Sequence, residues 1–248
     1  MHITDPHLFG DPAGELRGAV TLQTFRSVLR HAAASAWKPD LIALTGDLIQ
    51  DDSREAYEHF PALFPADGPP VLCLPGNHDI PALMSSVLGK PPFRYCATVD
   101  TGSWRIISIN SVREGSAGGF VSDDELQRLE AELSDAPEHA LVCLHHPPVA
   151  VTSAWLETVG LKNRDSFNAV IAGSKKPRAV LFGHVHQAID EQHDGVQVIG
   201  TPSTCRQFMP GSESFAVDDR PPAYRQLELN DDGTIESTLV WVEQEITG

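Results

Sequence analysis

Five short apolar runs, each closed by histidine, aspartate or asparagine, constrain this chain more than any other feature. Ile3-Thr4 leads into Asp5-Pro6-His7, and Leu41 to Thr45 into Gly46-Asp47. Val71 to Pro75 leads into Gly76-Asn77-His78-Asp79, Leu141 to Leu144 into His145-His146, and Val180 to Phe182 into Gly183-His184-Val185-His186. Short runs without polar alternation predict strands buried on both faces, as parallel sheets require. If the runs are neighbours in a largely parallel sheet, their C-terminal ends lie along one edge, where open α/β sheets bind ligands. Residues from almost the whole chain then converge on one cleft. Gly46, Gly76 and Gly183, each just before a polar cluster, are expected to permit the sharp turn from strand to loop.

Six of the eleven histidines fall in these clusters, together with Asp5, Asp47 and Asn77 and without any cysteine. Mixed imidazole and oxygen donors suit Mn, Fe, Zn or Co rather than Ca or Mg alone. With four or five of the histidines as donors beside Asp5, Asp47 and Asn77, seven or more ligands are too many for one ion with an open position, but they suffice for two ions sharing a carboxylate, about 3.5–4 Å apart. Any one of these histidines alone reads as an ordinary core or surface residue; their joint placement after strands is what points to a site. His2, His31, His59, His139 and His193 sit in helical or loop contexts and read as surface residues, with His2 and His193 near enough in sequence to approach the site. The chain has no GxxxxGK[ST] loop, GxGxxG fingerprint, GxSxG elbow or HExxH helix.

With 18 basic against 34 acidic residues, the net charge is −16. Such a surface repels polyanions, which argues against nucleic acid as a partner. A small phosphate ester is still accommodated, because bound cations reverse the field locally. No apolar run reaches the ~18 residues of a membrane span, and the start lacks the basic-then-apolar pattern of a secretory signal, so the cytoplasm is the expected compartment. Cys73, Cys96, Cys143 and Cys205 form no CxxC pair and read as reduced structural thiols, with Cys205 in a loop.

The remaining pattern predicts helices over Ala19 to Ala36 and Ser53 to Phe64. A capping box, Ser122 to Glu125, opens a third helix with Leu126, Leu129 and Leu133 on its apolar face. Beyond Asp190 the texture becomes short alternating strands, Val196 to Ile199, Tyr224 to Leu229 and Thr234 to Val242, with Asp231-Asp232-Gly233 as a hairpin turn. One α/β domain over 1–248 with two packed sheets and outer helices accommodates both textures. In it, 1–188 carries the βαβ-rich part and 189–248 completes the second sheet.

The ordered series Asp5-x-His7, Gly46-Asp47, Gly76-Asn77-His78-Asp79, His145-His146, Gly183-His184-x-His186 resembles the signature of the calcineurin-like metallophosphoesterases. Pro147-Pro148 through Leu156, Gly160 to Asn163, Thr201 to Cys205 and Asp218 to Arg225 are similar to the bacterial class III 3′,5′-cyclic AMP phosphodiesterases. The resemblance implies a four-layer αββα sandwich of two mixed β-sheets flanked by helices. It also implies a dinuclear centre of divalent or trivalent ions, iron and manganese among them. One metal is then held by Asp5, His7 and His186 and a second by Asn77, His145 and His184, with Asp47 bridging. His146 becomes a supporting residue beside the ligands. The family usually carries several residues before Asp-x-His; here Met1 to Thr4 stand there, a shorter anchor for Asp5 and His7. Asn110 stands where relatives often carry Asp.

The implied reaction is hydrolysis of a cyclic nucleotide, 3′,5′-cyclic AMP to 5′-AMP, by in-line attack of metal-activated hydroxide on phosphorus. His78 is the candidate for protonating the departing 3′ oxygen, with Asp79 as its orienting carboxylate. Asn77, His78, His146 and His186 are the candidate substrate contacts. Trp155 and Phe208 either stack on the adenine or pack against their own loop. Lys162, Arg164, Lys175, Lys176 and Arg178 either steer anions or form a solvated face. Alternatives are hydrolysis of 2′,3′-cyclic nucleotides, general phosphodiesters or phosphomonoesters on the same cluster and, more distantly, a non-catalytic scaffold. The oligomeric state is open, a homodimer being one option.

Overall fold

The computed structural model describes residues 1–243. In chain order the elements are β1 (His2–Ile3), β2 (Glu15–Leu16), β3 (Ala19–Val20), α1 (Thr21–Ala34), β4 (Ile42–Thr45), α2 (Arg54–Leu63), β5 (Val71–Leu74) and α3 (Pro81–Leu88). Next come β6 (Phe93–Tyr95), β7 (Thr98–Thr101), β8 (Trp104–Ser108), α4 (Asp123–Asp135), β9 (His139–Cys143), α5 (Ala154–Glu157), α6 (Arg164–Ala172) and β10 (Pro177–Phe182). The last are β11 (Ile189–His193), β12 (Val196–Gly200), β13 (Gln207–Phe208), β14 (Val217–Asp218), β15 (Ala223–Leu229) and β16 (Ile235–Trp241).

The apolar runs become strands because they are buried on both faces: every residue of β4, β5 and β9 is buried. They divide between two sheets, ordered β16-β15-β1-β4-β5-β6 and β11-β12-β10-β9-β8-β7. Each sheet has four consecutive parallel strands; in the first they run to the β6 edge with the antiparallel β15 and β16 on the other side, and in the second they are flanked by antiparallel β11 and β7. The expectation of a single sheet edge is thereby corrected: Asp5, Asp47 and Asn77 follow strands of the first sheet, His145 and His184 strands of the second.

Three apolar clusters define the layers. Phe25, Tyr57, Phe60 and Met84 pack helices on the first sheet, and Leu129, Leu133, Phe167 and Ile171 pack helices on the second. Between the sheets lie Ala43, Leu72, Leu74, Ile106, Leu141, Ala179 and Leu181. This is the four-layer αββα sandwich. The segment expected to complete the second sheet, 189–248, extends beyond the described residues, and within 189–243 it serves both sheets. β11 and β12 extend the second, whereas the β15–β16 hairpin turns back to pair with β1 of the first. Its turn is the one expected, with Gly233 at φ +87°.

Ser122 caps α4 by accepting from the Glu125 N–H (3.2 Å). The reciprocal half of the box is not made, because Glu125 instead accepts from the Asn110 N–H (3.0 Å) and pairs with Arg128. The basic residues after Lys162 do not act as one patch: Arg164 pairs with Glu157 (2.6 Å), Arg178 donates to His139 (3.1 Å), and Lys162 and Lys176 bond nearby carbonyls of Thr158 and Pro137. All four cysteines are free thiols, and Cys205 is as buried as Cys73 and Cys143. No helix among the described residues is long and apolar enough to cross a membrane.

His2 and His139 are buried, not on the surface. The His2 ring bridges the sheets, Nε2 meeting Thr45 Oγ1 and Nδ1 meeting Thr201 Oγ1, each at 2.7 Å. Burial, with Arg225 nearby, lowers its pKa from 6.5 to about 3. A depressed folded-state pKa stabilises above the unfolded value, and this contribution drains away as pH falls through the window from 6.5 toward 3. We expect about 2 kcal/mol of this contribution to disappear between pH 7 and pH 5. Urea unfolding at the two pH values checks it: His2→Gln should lose about 2 kcal/mol less than wild type, and equal losses would contradict it.

Candidate metal centre

The chain after β1 is held in line although β1 is only two residues long. Asp5 N–H donates to Gly46 O (3.0 Å), His7 N–H to Asp47 O (3.0 Å) and Leu8 N–H to Leu48 O (2.8 Å). The loops after β1 and β4 therefore run on as a parallel ladder, and a short strand does not leave Asp5 and His7 loose. Asp5, His7, Asp47, His184 and His186 all adopt left-handed backbone, with φ between 49° and 66°. Non-glycine residues pay about 1–3 kcal/mol each for such conformations, which persist where surrounding structure enforces them.

The glycine expectation holds in part. Gly46 has φ +94°, whereas Gly76 and Gly183 do not need positive φ. They are required by close approach: a Cβ on Gly76 would stand 2.2 Å from Asp47 Oδ1, and one on Gly183 2.1 Å from Thr4 Oγ1.

Two donor sets result. In the first, His7 Nε2 and His186 Nε2 are 3.2 Å apart, and His186 Nε2 is 3.2 Å from Asp5 Oδ1. In the second, His145 Nε2 lies 3.3 Å from both Asn77 Oδ1 and His184 Nδ1. Asp47 reaches both sets with different oxygens, Oδ2 being 3.7 Å from His7 Nε2 and Oδ1 3.4 Å from His145 Nε2. Ligands on a tetrahedral ion with bonds of about 2.0–2.1 Å stand about 3.3 Å apart, so these spacings suit ions at the centre of each set.

Tautomers agree with that chemistry. His145 Nδ1–H donates to Thr45 O (2.9 Å) and His186 Nδ1–H to Arg206 O (2.6 Å), leaving each Nε2 lone pair for the centre. Asp5 spends its outer oxygen on Thr4 Oγ1–H (2.5 Å) and the His184 N–H (3.1 Å). The buried His184 Nε2 and His7 Nδ1 have no hydrogen-bond partner.

The electrostatics follow from burial and proximity. Burial raises the Asp47 carboxyl, but His145 outweighs it and holds the group well below its ordinary value. Asp5 is likewise lowered, His186 overcoming the effect of burial. Burial lowers His145, and Asp47 more than reverses this, to about 9. Burial takes His7 down to about 4, and burial with His145 takes His184 to about 3. Neutral His7 and His184 beside ionised Asp5 and Asp47 are in the state that cations bind, whereas an ion beside Asp47 would have to displace the proton that this carboxylate favours on His145.

His78 is half-exposed; its N–H donates to Asp47 Oδ1 (2.9 Å), and its ring meets the His7 ring edge-on at 5.0 Å. Asp79 does not orient it. The buried Asp79 carboxylate accepts from Leu48 N–H (3.1 Å), Gly76 N–H (2.8 Å) and Tyr57 O–H (2.8 Å), tying the β4 loop to the β5 loop. Burial and the Asp47 charge raise it to about 7. The backbone amides compete for every useful direction of this carboxylate, so the expected pairing with the adjacent His78 is not made.

His146 is buried with Nδ1 on Ser111 Oγ (2.9 Å) and Nε2 on Ala117 O (3.3 Å), its ring 4.7 Å from that of His184. Asn110 Oδ1 accepts from the Val112 N–H (2.9 Å). His193 pairs with its neighbour Asp194 on the surface. Trp155 and Phe208 pack against each other at 5.1 Å, and Phe208 stacks flat on His186 at 4.1 Å and 11°. Packing is thus the role the structure gives both rings. The residues that sequence reasoning missed are Tyr57 and Arg206, which act through a hydroxyl and a backbone carbonyl from outside the motif loops.

Comparison with known proteins places this geometry. Residues 1–188 match the calcineurin-like phosphoesterase family. A 3′,5′-cyclic adenosine monophosphate phosphodiesterase, CpdA, of Haemophilus influenzae is 36% identical over 98% of this chain and 90% of its own length. The protein of the same name from Escherichia coli is 37% identical over 95% of this chain and 86% of its own. Among solved structures, a dimetal phosphatase from Danio rerio superposes with a TM-score of 0.62 at 15% identity, covering 98% of both chains. From the ordered motifs, the two-sheet sandwich and these relatives, the chain belongs to the calcineurin-like phosphoesterase family.

Proposed function

We propose that this protein hydrolyses 3′,5′-cyclic AMP to 5′-AMP at a dinuclear metal centre. Asp5, His7 and His186 would hold one ion, Asn77, His145 and His184 the other, with Asp47 placed between the two donor sets. The observation that carries the reading is the shared carboxylate, one oxygen turned to each donor set. The substrate follows from relatives named as cyclic AMP phosphodiesterases that match nearly the whole chain. Two ions bound there would supply the Lewis acidity that phosphodiester hydrolysis near neutral pH needs.

The chain's own groups do the rest. Asp5 and Asp47 contribute only two negative charges against two or more positive charges per ion, so the pocket attracts an anionic diester although the protein is acidic overall. His78, half-exposed and fixed by its backbone to Asp47, faces the cleft and gives a proton to the 3′ oxygen as the P–O3′ bond breaks. Asp79 and Tyr57 hold the loops carrying Asp47 and Asn77 at fixed spacing. His146 backs the second donor set as a packed, hydrogen-bonded neighbour.

Elemental analysis combined with a substrate panel on one purified sample tests the reading. We expect two metal equivalents and the highest kcat/KM on 3′,5′-cyclic AMP, above 2′,3′-cyclic AMP, bis(p-nitrophenyl) phosphate and p-nitrophenyl phosphate. Preference for the monoester, or no hydrolysis of any ester, overturns it.

A further inference from the structure

The centre leaves an exposed apolar edge and two arginines unexplained. The exposed large hydrophobic side chains among the described residues are Ile80, Phe120, Met209 and Phe215, at 36–43% exposure. Met209 and Phe215 lie in the β13–β14 loop, where Phe215 packs on Phe208 and Phe208 on the candidate ligand His186; Ile80 follows Asn77-His78-Asp79 in sequence, and Phe120 follows Gly119, which packs on the His146 ring. Aromatic surface left in water beside a candidate ligand residue marks a place that a ligand covers.

The β13–β14 side has the features of a seat for a flat ring. Phe208 is committed to His186, and Trp155 is tied down by its Nε1–H donating to Ser212 Oγ (3.2 Å). Phe215, with its centroid 5.5 Å from that of Phe208 and 5.2 Å from that of Trp155, is the member of the cluster that presents ring surface to solvent. Over that ring, 4.7 Å from its centroid, lies the guanidinium of Arg17 from the β2–β3 turn. Arg206 approaches the same turn beside Gly18, with Nε buried and lacking a partner. Among the described residues neither arginine pairs with a carboxylate, in a chain of net charge −16.

A planar cation on an exposed aromatic face is a weak contact, and stacking of a nucleobase on the same face is the stronger one. We infer that the purine of the cyclic nucleotide lies on Phe215 in the place of the Arg17 guanidinium, which then closes over the outer face of the base. Phe215 and Arg17 are thus specificity-determining residues. They make the enzyme prefer purine cyclic nucleotides to phosphodiesters without a base, and Phe208 links this seat to His186. The inference rests on the cyclic-nucleotide reading above.

The test compares wild type, Phe215→Ala, Phe215→Tyr and Arg17→Ala as metal-loaded enzymes. Two readouts are taken: the ratio of kcat/KM on cyclic AMP to that on bis(p-nitrophenyl) phosphate, and calorimetric affinities for 5′-AMP and ribose 5-phosphate. Phe215→Ala should lower the ratio and weaken 5′-AMP by about tenfold each, with ribose 5-phosphate moving less than about twofold. Phe215→Tyr should restore both, and Arg17→Ala should shift them in the same direction as Phe215→Ala. If wild type hydrolyses cyclic AMP and Phe215→Ala leaves ratio and 5′-AMP affinity unchanged, or weakens both ligands alike, the seat is overturned and the activity stands. If wild type cleaves the aryl diester and not cyclic AMP, the activity falls and the seat with it.

Discussion

Asp47→Ala is expected to purify with less than half the metal of wild type and to lose about 10³-fold or more in cyclic AMP turnover. The magnitude follows from the charge stabilisation that a metal site supplies, several kcal/mol at about 1.4 kcal/mol per power of ten. The structure explains why this one side chain matters to both halves of the centre. Its two oxygens face different donor sets, and Oδ1 also accepts the His78 N–H. Without it, His145 loses the partner that holds it at about 9. Asp47→Asn keeps the shape and one acceptor oxygen but not the charge, so it should fall between wild type and alanine in metal content. Elemental analysis beside a circular dichroism spectrum separates metal loss from unfolding. Full occupancy in a folded alanine variant would count against a shared carboxylate.

His78→Ala should do the opposite: keep its metal and lose about 10²–10⁴-fold in turnover of cyclic AMP. In the proposed mechanism the imidazole gives its proton to an alkoxide, a poor leaving group that needs one. On bis(p-nitrophenyl) phosphate, whose phenolate departs unaided, the loss should shrink below about tenfold. A loss equal on both substrates would show that His78 acts on binding or on the metals rather than on the departing oxygen. Unchanged turnover on cyclic AMP would remove it from the mechanism.

The motif loops were legible because each couples a buried strand to donor side chains within a few residues, a pattern that burial and spacing reveal without contacts. The division of those strands between two sheets was not legible, since a parallel strand reads alike in either sheet. Asp79 shows the limit of adjacency: it follows His78 in sequence, yet its carboxylate turns inward to the amides of Leu48 and Gly76. His2 was misread because nothing local distinguishes a histidine held between two threonine hydroxyls from a solvated one; Thr201 lies almost the whole chain away. The aromatic cluster was half legible. Trp155 and Phe208 stood out by residue type, whereas Phe215 and Arg17 meet across a long stretch of sequence.

Because the donors come from both layers, cations bound among them would act as a rivet through the seam of the sandwich. The folded chain then gains stability with free ion by mass action, about 4 kcal/mol when the ion stands a thousandfold above its dissociation constant. Scarcity of transition metal would therefore shorten the lifetime of the molecule as well as silence it, and a starved cell would clear the idle enzyme through its proteases.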